Sequence, residues 1–94
     1  MQFAVLLTWF ADLSTPENAR LFHAHERHMV ELHQQGVLEA GGPFLDGKGS
    51  LLLLEVPDKE TATSWLEADP AHGVIYRAQI HPWQNVFKSE QNEA

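Results

Sequence analysis

Four consecutive leucines, Leu51 to Leu54, lie between Ser50 and Val56 and constrain this chain more than any other feature. The run could be helical by composition, but its short length and its bounding Gly49 and Pro57 favour a strand. Side chains alternate between the two faces of a strand, so two leucines point away from the other two. Both faces of such a strand are covered, either within the chain or by a partner subunit. Residues 2–10, from Gln2 to Phe10, are equally dense in apolar, β-branched and aromatic types and predict a central strand buried on both faces.

Between these runs the period changes. Thr15 suits an N-cap, Pro16 the first helical position and Glu17 the positive end of the dipole. A helix from Pro16 to Gln35 then places Phe22, Met29 and Leu32, flanked by Leu21 and Val30, on one face, and Gly36 ends it in left-handed conformation. Residues 37–44, from Val37 to Phe44, predict a strand broken by Gly41, Gly42 and Pro43, the mark of an edge, a bulge or a close approach. A turn follows at Asp46–Gly49. Asp58 caps a second helix over Lys59–Ala68 whose buried stripe is Ala62, Trp65 and Leu66, and Asp69-Pro70 ends it. After a compact connection over Pro70–Tyr76, a last strand is expected from Arg77 to Phe87 with a bend at Pro82, then a polar tail over residues 89–94.

The order strand, helix, strand, strand, helix, strand predicts an α+β fold of the ferredoxin-like βαββαβ kind over residues 1–94 as one domain. Its four-stranded antiparallel sheet carries both helices on one face. The surplus leucines then lie on the open face, and a homodimer of the α+β barrel type, sheet against sheet, would cover them.

Charge narrows the partners. Six Lys and Arg against 13 Asp and Glu give a net charge of -7, and the basic residues are scattered, so nucleic acid and anionic membranes are not expected partners. The chain has no cysteine, which removes disulfides, thiolate nucleophiles and cysteine metal sites. Its first residues lack a basic leader and no apolar run reaches the ~20 residues of a membrane span. A soluble, cytoplasmic protein is expected.

On a helical wheel Leu21, His25, Met29 and Leu32 share one stripe, so His25 projects from the buried side of the first helix. One reading is a core histidine satisfied by a backbone carbonyl; the other is a general base or acid whose ordinary pKa of about 6.5 suits neutral pH. Asp69, at the unfavourable end of the second helix, is either a turn residue or the partner that fixes the His25 tautomer and stabilises its imidazolium. Such a dyad has no nucleophile, because no serine stands in a nucleophile elbow. His23, His25 and His28 lack the His-Glu-x-x-His spacing of a metal helix, so no metal is expected. His28 and His33 are expected to be partly solvated, and His72 to line a pocket with Phe22 and Phe44 as aromatic walls. Gly41-Gly42-Pro43 is no phosphate loop and instead lets backbone approach a small molecule.

His25 followed by Gly36, then Ala40-Gly41-Gly42-Pro43, Glu67-Ala68-Asp69-Pro70 and His81-Pro82-Trp83, resembles the YCII-related proteins in order and spacing from Phe3 to Phe87. That resemblance implies small ferredoxin-like dimers akin to muconolactone isomerases, with His25 and Asp69 as the acid-base pair and Gly42, Pro43 and Ser50 beside the same pocket. Members often carry arginine three residues before the histidine; here Phe22 stands there, which favours a neutral or aromatic substrate. The resemblance implies a cofactor-free lyase or isomerase, with elimination of HCl from a chlorinated hydroxyquinol as one activity of the family. The contrasting expectation is a non-enzymatic dimeric ligand-binding module in which His25–Asp69 is structural.

Overall fold

The structure, a computed structural model, describes residues 1–88; the expected polar tail lies outside them. Its elements are β1 (Gln2–Trp9), α1 (Pro16–Gln34), β2 (Leu38–Pro43), β3 (Gly49–Glu55), α2 (Lys59–Glu67) and β4 (Tyr76–Trp83). All pairings are antiparallel, in the order β2-β3-β1-β4, and both helices cover one face, which is the ferredoxin-like arrangement. None of the helices among the described residues is long and apolar enough to cross a membrane.

Local chemistry sets the helix ends. Thr15 accepts the Asn18 amide at 3.3 Å and Asp58 accepts the Thr61 amide at 2.8 Å, each satisfying a backbone donor that the helix leaves open. At the other end of α1, Gly36 takes φ +77° while the Val37 amide donates to Leu32 and the Gly36 amide to His33, a Schellman closure. The α1 face differs from expectation at two positions. Val30 is exposed, and His28 is buried because its Nε2 reaches the Trp65 carbonyl at 2.7 Å across the helix pair.

The two sheet faces differ in cover. Phe3, Val5 and Leu7 of β1 and Leu52 and Leu54 of β3 are buried beneath the helices with Leu32, Ala62, Leu66 and Tyr76. Ala4 pairs with Leu53 and Leu6 with Leu51, and these four side chains share the open face, where Leu51 is 37% exposed. β1 is therefore central, but within this chain only one of its faces is fully buried.

β2 is an edge strand with an irregularity. Leu38 pairs with Leu54 and Ala40 with Leu53, which leaves Glu39 as an extra, bulged residue. The insertion shifts the alternation by one, so Gly41 and Pro43 lie on the helix side and Gly42 on the open side. β4 ends at Trp83, four residues before the expected limit, because Trp83 already pairs with Gln2 at the start of β1 and Gln84 finds no partner strand. Pro82 is accommodated because β4 is the other edge. At Gly49 a Cβ would lie 1.9 Å from the Leu7 carbonyl oxygen, so only glycine allows β1 and β3 to meet this closely.

Candidate active site

Asp69 is 2% exposed and follows the C-cap of α2. A buried carboxylate there is disfavoured by desolvation and by the negative end of the helix dipole, so it requires donors. It has three. Pro70 stops the helix and folds the chain back, so that the Ala71 amide donates to Asp69 Oδ1 at 2.9 Å. His25 Nδ1 meets Asp69 Oδ2 at 2.6 Å, and the Tyr76 hydroxyl donates to the same oxygen at 2.7 Å. Burial, the largest single influence, pushes this carboxyl up. The His25, Ala71 and Tyr76 hydrogen bonds and the charge of His25 together outweigh it, and Asp69 sits below the ordinary carboxylate value.

Because an ionised carboxylate only accepts, Nδ1 of His25 carries the proton, and a neutral imidazole then leaves Nε2 with a free lone pair. Nε2 makes no hydrogen bond among the described residues, yet no side-chain nitrogen or oxygen among them is both buried and unpartnered. Nε2 therefore retains accessible surface even though His25 as a whole is 5% exposed. His25 lines a cleft of about 340 Å³ between α1 and the β2–β3 end of the sheet. That volume is near the lower bound for small-molecule sites and fits a single substituted ring.

Trp9 and Phe22 wall the cleft beside His25, with Met29, Val30, Leu38 and Leu52 completing the apolar lining. Gly41, Gly42 and Pro43 form the opposite wall; a Cβ at Gly41 would crowd Leu52 and Leu38 at 3.1 and 3.2 Å, so glycine there keeps the floor open. Ser50 and Glu26 are the remaining polar lining groups, and no lysine or arginine among the described residues lines the cleft. The Trp9 ring meets those of Phe22, His25 and Tyr76 edge-on at centroid distances of 5.5 to 5.6 Å, which fixes the imidazole plane.

The structure thus brings together His25, Asp69, Phe22, Gly42, Pro43 and Ser50. It does not bring in two others. Phe44 borders a shallow depression on the open face with Leu51 and Leu53, because the Gly-Pro corner carries it past the cleft. His72 packs edge-on against Tyr76 at 5.8 Å and does not line the cleft. Trp9, Met29 and Tyr76 are cleft or dyad residues that the sequence did not single out; Gly41 belongs to the Gly41-Gly42-Pro43 stretch read as a close approach of backbone, and the bulge at Glu39 sets it on the helix side. Among the other histidines, His23 pairs with exposed Glu26 at 3.2 Å and His33 with the Leu38 carbonyl at 3.0 Å. Among the described residues no three His, Asp or Glu side chains converge as a metal site would require.

A profile of the YCII-related domain matches residues 1–84. No curated protein sequence matches the chain. Among solved structures, one similar fold is the 5-chloro-2-hydroxyhydroquinone dehydrochlorinase of Burkholderia phenoliruptrix AC1100 in complex with 2,5-dihydroxybenzoquinone. It has a TM-score of 0.72 and 20% sequence identity, over 89% of this chain and 94% of that one. At that identity the likeness bears on the fold.

The Asp69 environment has a signed consequence for stability. Its folded value is depressed, so its contribution is fully present above the unfolded value of about 3.9 and is lost as pH falls through the folded value. Denaturant melts of the wild type and Asp69→Asn are expected to differ most above about pH 4 and to converge below it. Asp12 and Asp58, which also lie low through hydrogen bonds to Ser14 and Thr61, are present in both proteins and cancel in the difference. A gap that stays constant from pH 7 to 3 would contradict the assignment.

Proposed function

This chain belongs to the YCII-related family, and from that membership and the cleft we propose that it is a cofactor-independent lyase acting on a small, neutral, quinol-type ring. The observation that carries this reading is a single one: a cleft-facing imidazole whose Nδ1 rests on a buried carboxylate at 2.6 Å. His25 Nε2 is the base and Asp69 holds the imidazolium that forms. The aromatic walls and the lack of a cation in the cleft suit an uncharged ring. His25, Asp69, Phe22, Gly42, Pro43 and Ser50 are the proposed site residues.

Elimination of HCl from a chlorinated hydroxyquinol fits this equipment, and the similar fold reported above is that of a dehydrochlorinase. In the keto tautomer of such a ring, the carbon bearing chlorine is tetrahedral. His25 removes the proton of a hydroxyl separated from that carbon by one C=C bond. The O–H electrons form a carbonyl, the double bond shifts toward the chlorine-bearing carbon, and chloride leaves with its bonding pair. The atoms lost sum to HCl, the product is a hydroxyquinone, and no oxidant enters. General acid–base help of this kind is typically worth about 10²- to 10⁴-fold.

His25→Ala and Asp69→Asn are each expected to lower turnover of a chlorinated hydroxyquinol by about 10²-fold or more, followed by quinone absorbance, with circular dichroism unchanged. Full activity in both variants ends this reading in favour of a structural pair.

We also propose that the protein is a homodimer joined through the open sheet face, where Ala4, Leu6, Leu51 and Leu53 form an apolar patch that the helices leave uncovered. Sedimentation is expected to give a dimer for the wild type and a monomer for Leu53→Glu. A wild-type monomer would refute the assembly.

A further inference from the structure

Tyr76 begins β4, is fully buried, and its hydroxyl has one described partner, Asp69 Oδ2, the oxygen that also receives His25. Oδ1 is engaged separately by the Ala71 amide. His25 and Tyr76 therefore draw on one oxygen, at 2.6 and 2.7 Å, while the carboxylate is pinned by a third bond that neither disturbs. Their rings also meet edge-on, 5.3 Å apart, so the phenol has little freedom to turn elsewhere.

We propose that Tyr76 is a positioning residue that limits the basicity of His25 by sharing the Asp69 oxygen on which His25 rests. The proposal rests on reading His25 as the base of the cleft. Each donor to Oδ2 withdraws electron density from it, so the oxygen supports an imidazolium less strongly with Tyr76 present than without it. A base must be unprotonated to act, and an unshared buried carboxylate at 2.6 Å would favour the protonated ring at neutral pH. Tyr76 offsets that tendency while keeping the carboxylate ionised. Burial, followed by the hydrogen bond to Asp69 and its charge, holds the phenol far above its ordinary value, so it stays a donor across the working range.

The other groups facing His25 leave this role to Tyr76. Trp9 of β1 and Phe22 of α1 carry no titrating group, and Gly41 and Ser50 on the sheet side add no charge. Glu26, on the same helix, lies at the cleft mouth, exposed and paired with His23. His72 meets the Tyr76 ring edge-on at 5.8 Å and does not line the cleft.

The test is a titration of His25 by its ring Cε1–H signal in the full-length, ¹³C-histidine-labelled protein without substrate, with His25→Gln used for assignment. Tyr76→Phe is expected to raise the His25 pKa by roughly half a unit to one unit. The chain contains one tyrosine, so growth on 3-fluorotyrosine exchanges that side chain alone for a more acidic phenol of nearly the same shape. The stronger donor is expected to lower the His25 pKa, and this protein decides the matter if Tyr76→Phe does not fold. Opposite shifts in the two proteins support the proposal. A melting temperature that falls in Tyr76→Phe while neither protein moves the titration overturns it, as does a pKa that rises with fluorotyrosine. Because the titration needs no turnover, its failure is separable from a failure of the His25 activity test.

Discussion

The carboxylate of Asp69 is the interaction on which the rest of the site depends. An ion taken out of water at the wrong end of a helix is unfavourable on two counts, and removing one of its partners would expose both. The donors that offset this come from three separate parts of the chain: α1 through His25, the turn after α2 through Ala71, and β4 through Tyr76. A single buried charge thereby fixes the position of one helix against the far end of the sheet. The imidazole that results is held in one tautomer, between the Trp9, Phe22 and Tyr76 rings, with its free nitrogen toward the cleft.

The sheet separates two jobs. Its helix-covered face supplies the core and the cleft floor, through Leu52, Gly41 and Pro43; its other face carries Leu6, Leu51 and Leu53. The bulge at Glu39 divides these roles within β2. In a regular pairing running on from Leu38 and Leu54, Ala40 would take the place of Gly41 opposite Leu52 beneath α1, and Leu38 and Pro43 could not both face the helices. An irregularity of one residue at an edge strand thus gives the cleft its glycine wall.

The element order and both helix caps are legible because they rest on local chemistry: Thr15 and Asp58 as caps, Gly36 as a left-handed stop, and short, dense apolar runs for β1 and β3. The inward face of α1 is legible in part, with Val30 exposed and His28 buried against expectation. His25 is legible as a residue on the buried side, whereas His28, three residues on, is expected to be partly solvated and is buried instead. What separates them is tertiary. His28 meets a backbone carbonyl of Trp65 and His25 meets a carboxylate, so each of the two meanings open to a buried histidine is realised once in the same helix. The end of β4 was misjudged because strand length depends on the partner, and β1 offers none beyond Gln2. Phe44 and His72 are pocket candidates by residue type alone, whereas Phe44 lies past the Gly-Pro corner beside Leu51 and Leu53 and His72 packs on Tyr76 outside the cleft. The role of Tyr76 was hidden because a residue in a connection gives no periodic signal for the direction of its hydroxyl.

Asp69 holds His25 by Nδ1, which leaves Nε2 as the nitrogen available to the cleft. Nitrogen NMR of ¹⁵N-histidine-labelled protein at neutral pH, with and without a chlorinated hydroxyquinol, tests it most directly. The His25 Nε2 signal is expected to be that of a bare ring nitrogen and to move on ligand addition while Nδ1–H stays in place. A proton found on Nε2 instead, or an Nε2 signal indifferent to the ligand, would contradict it.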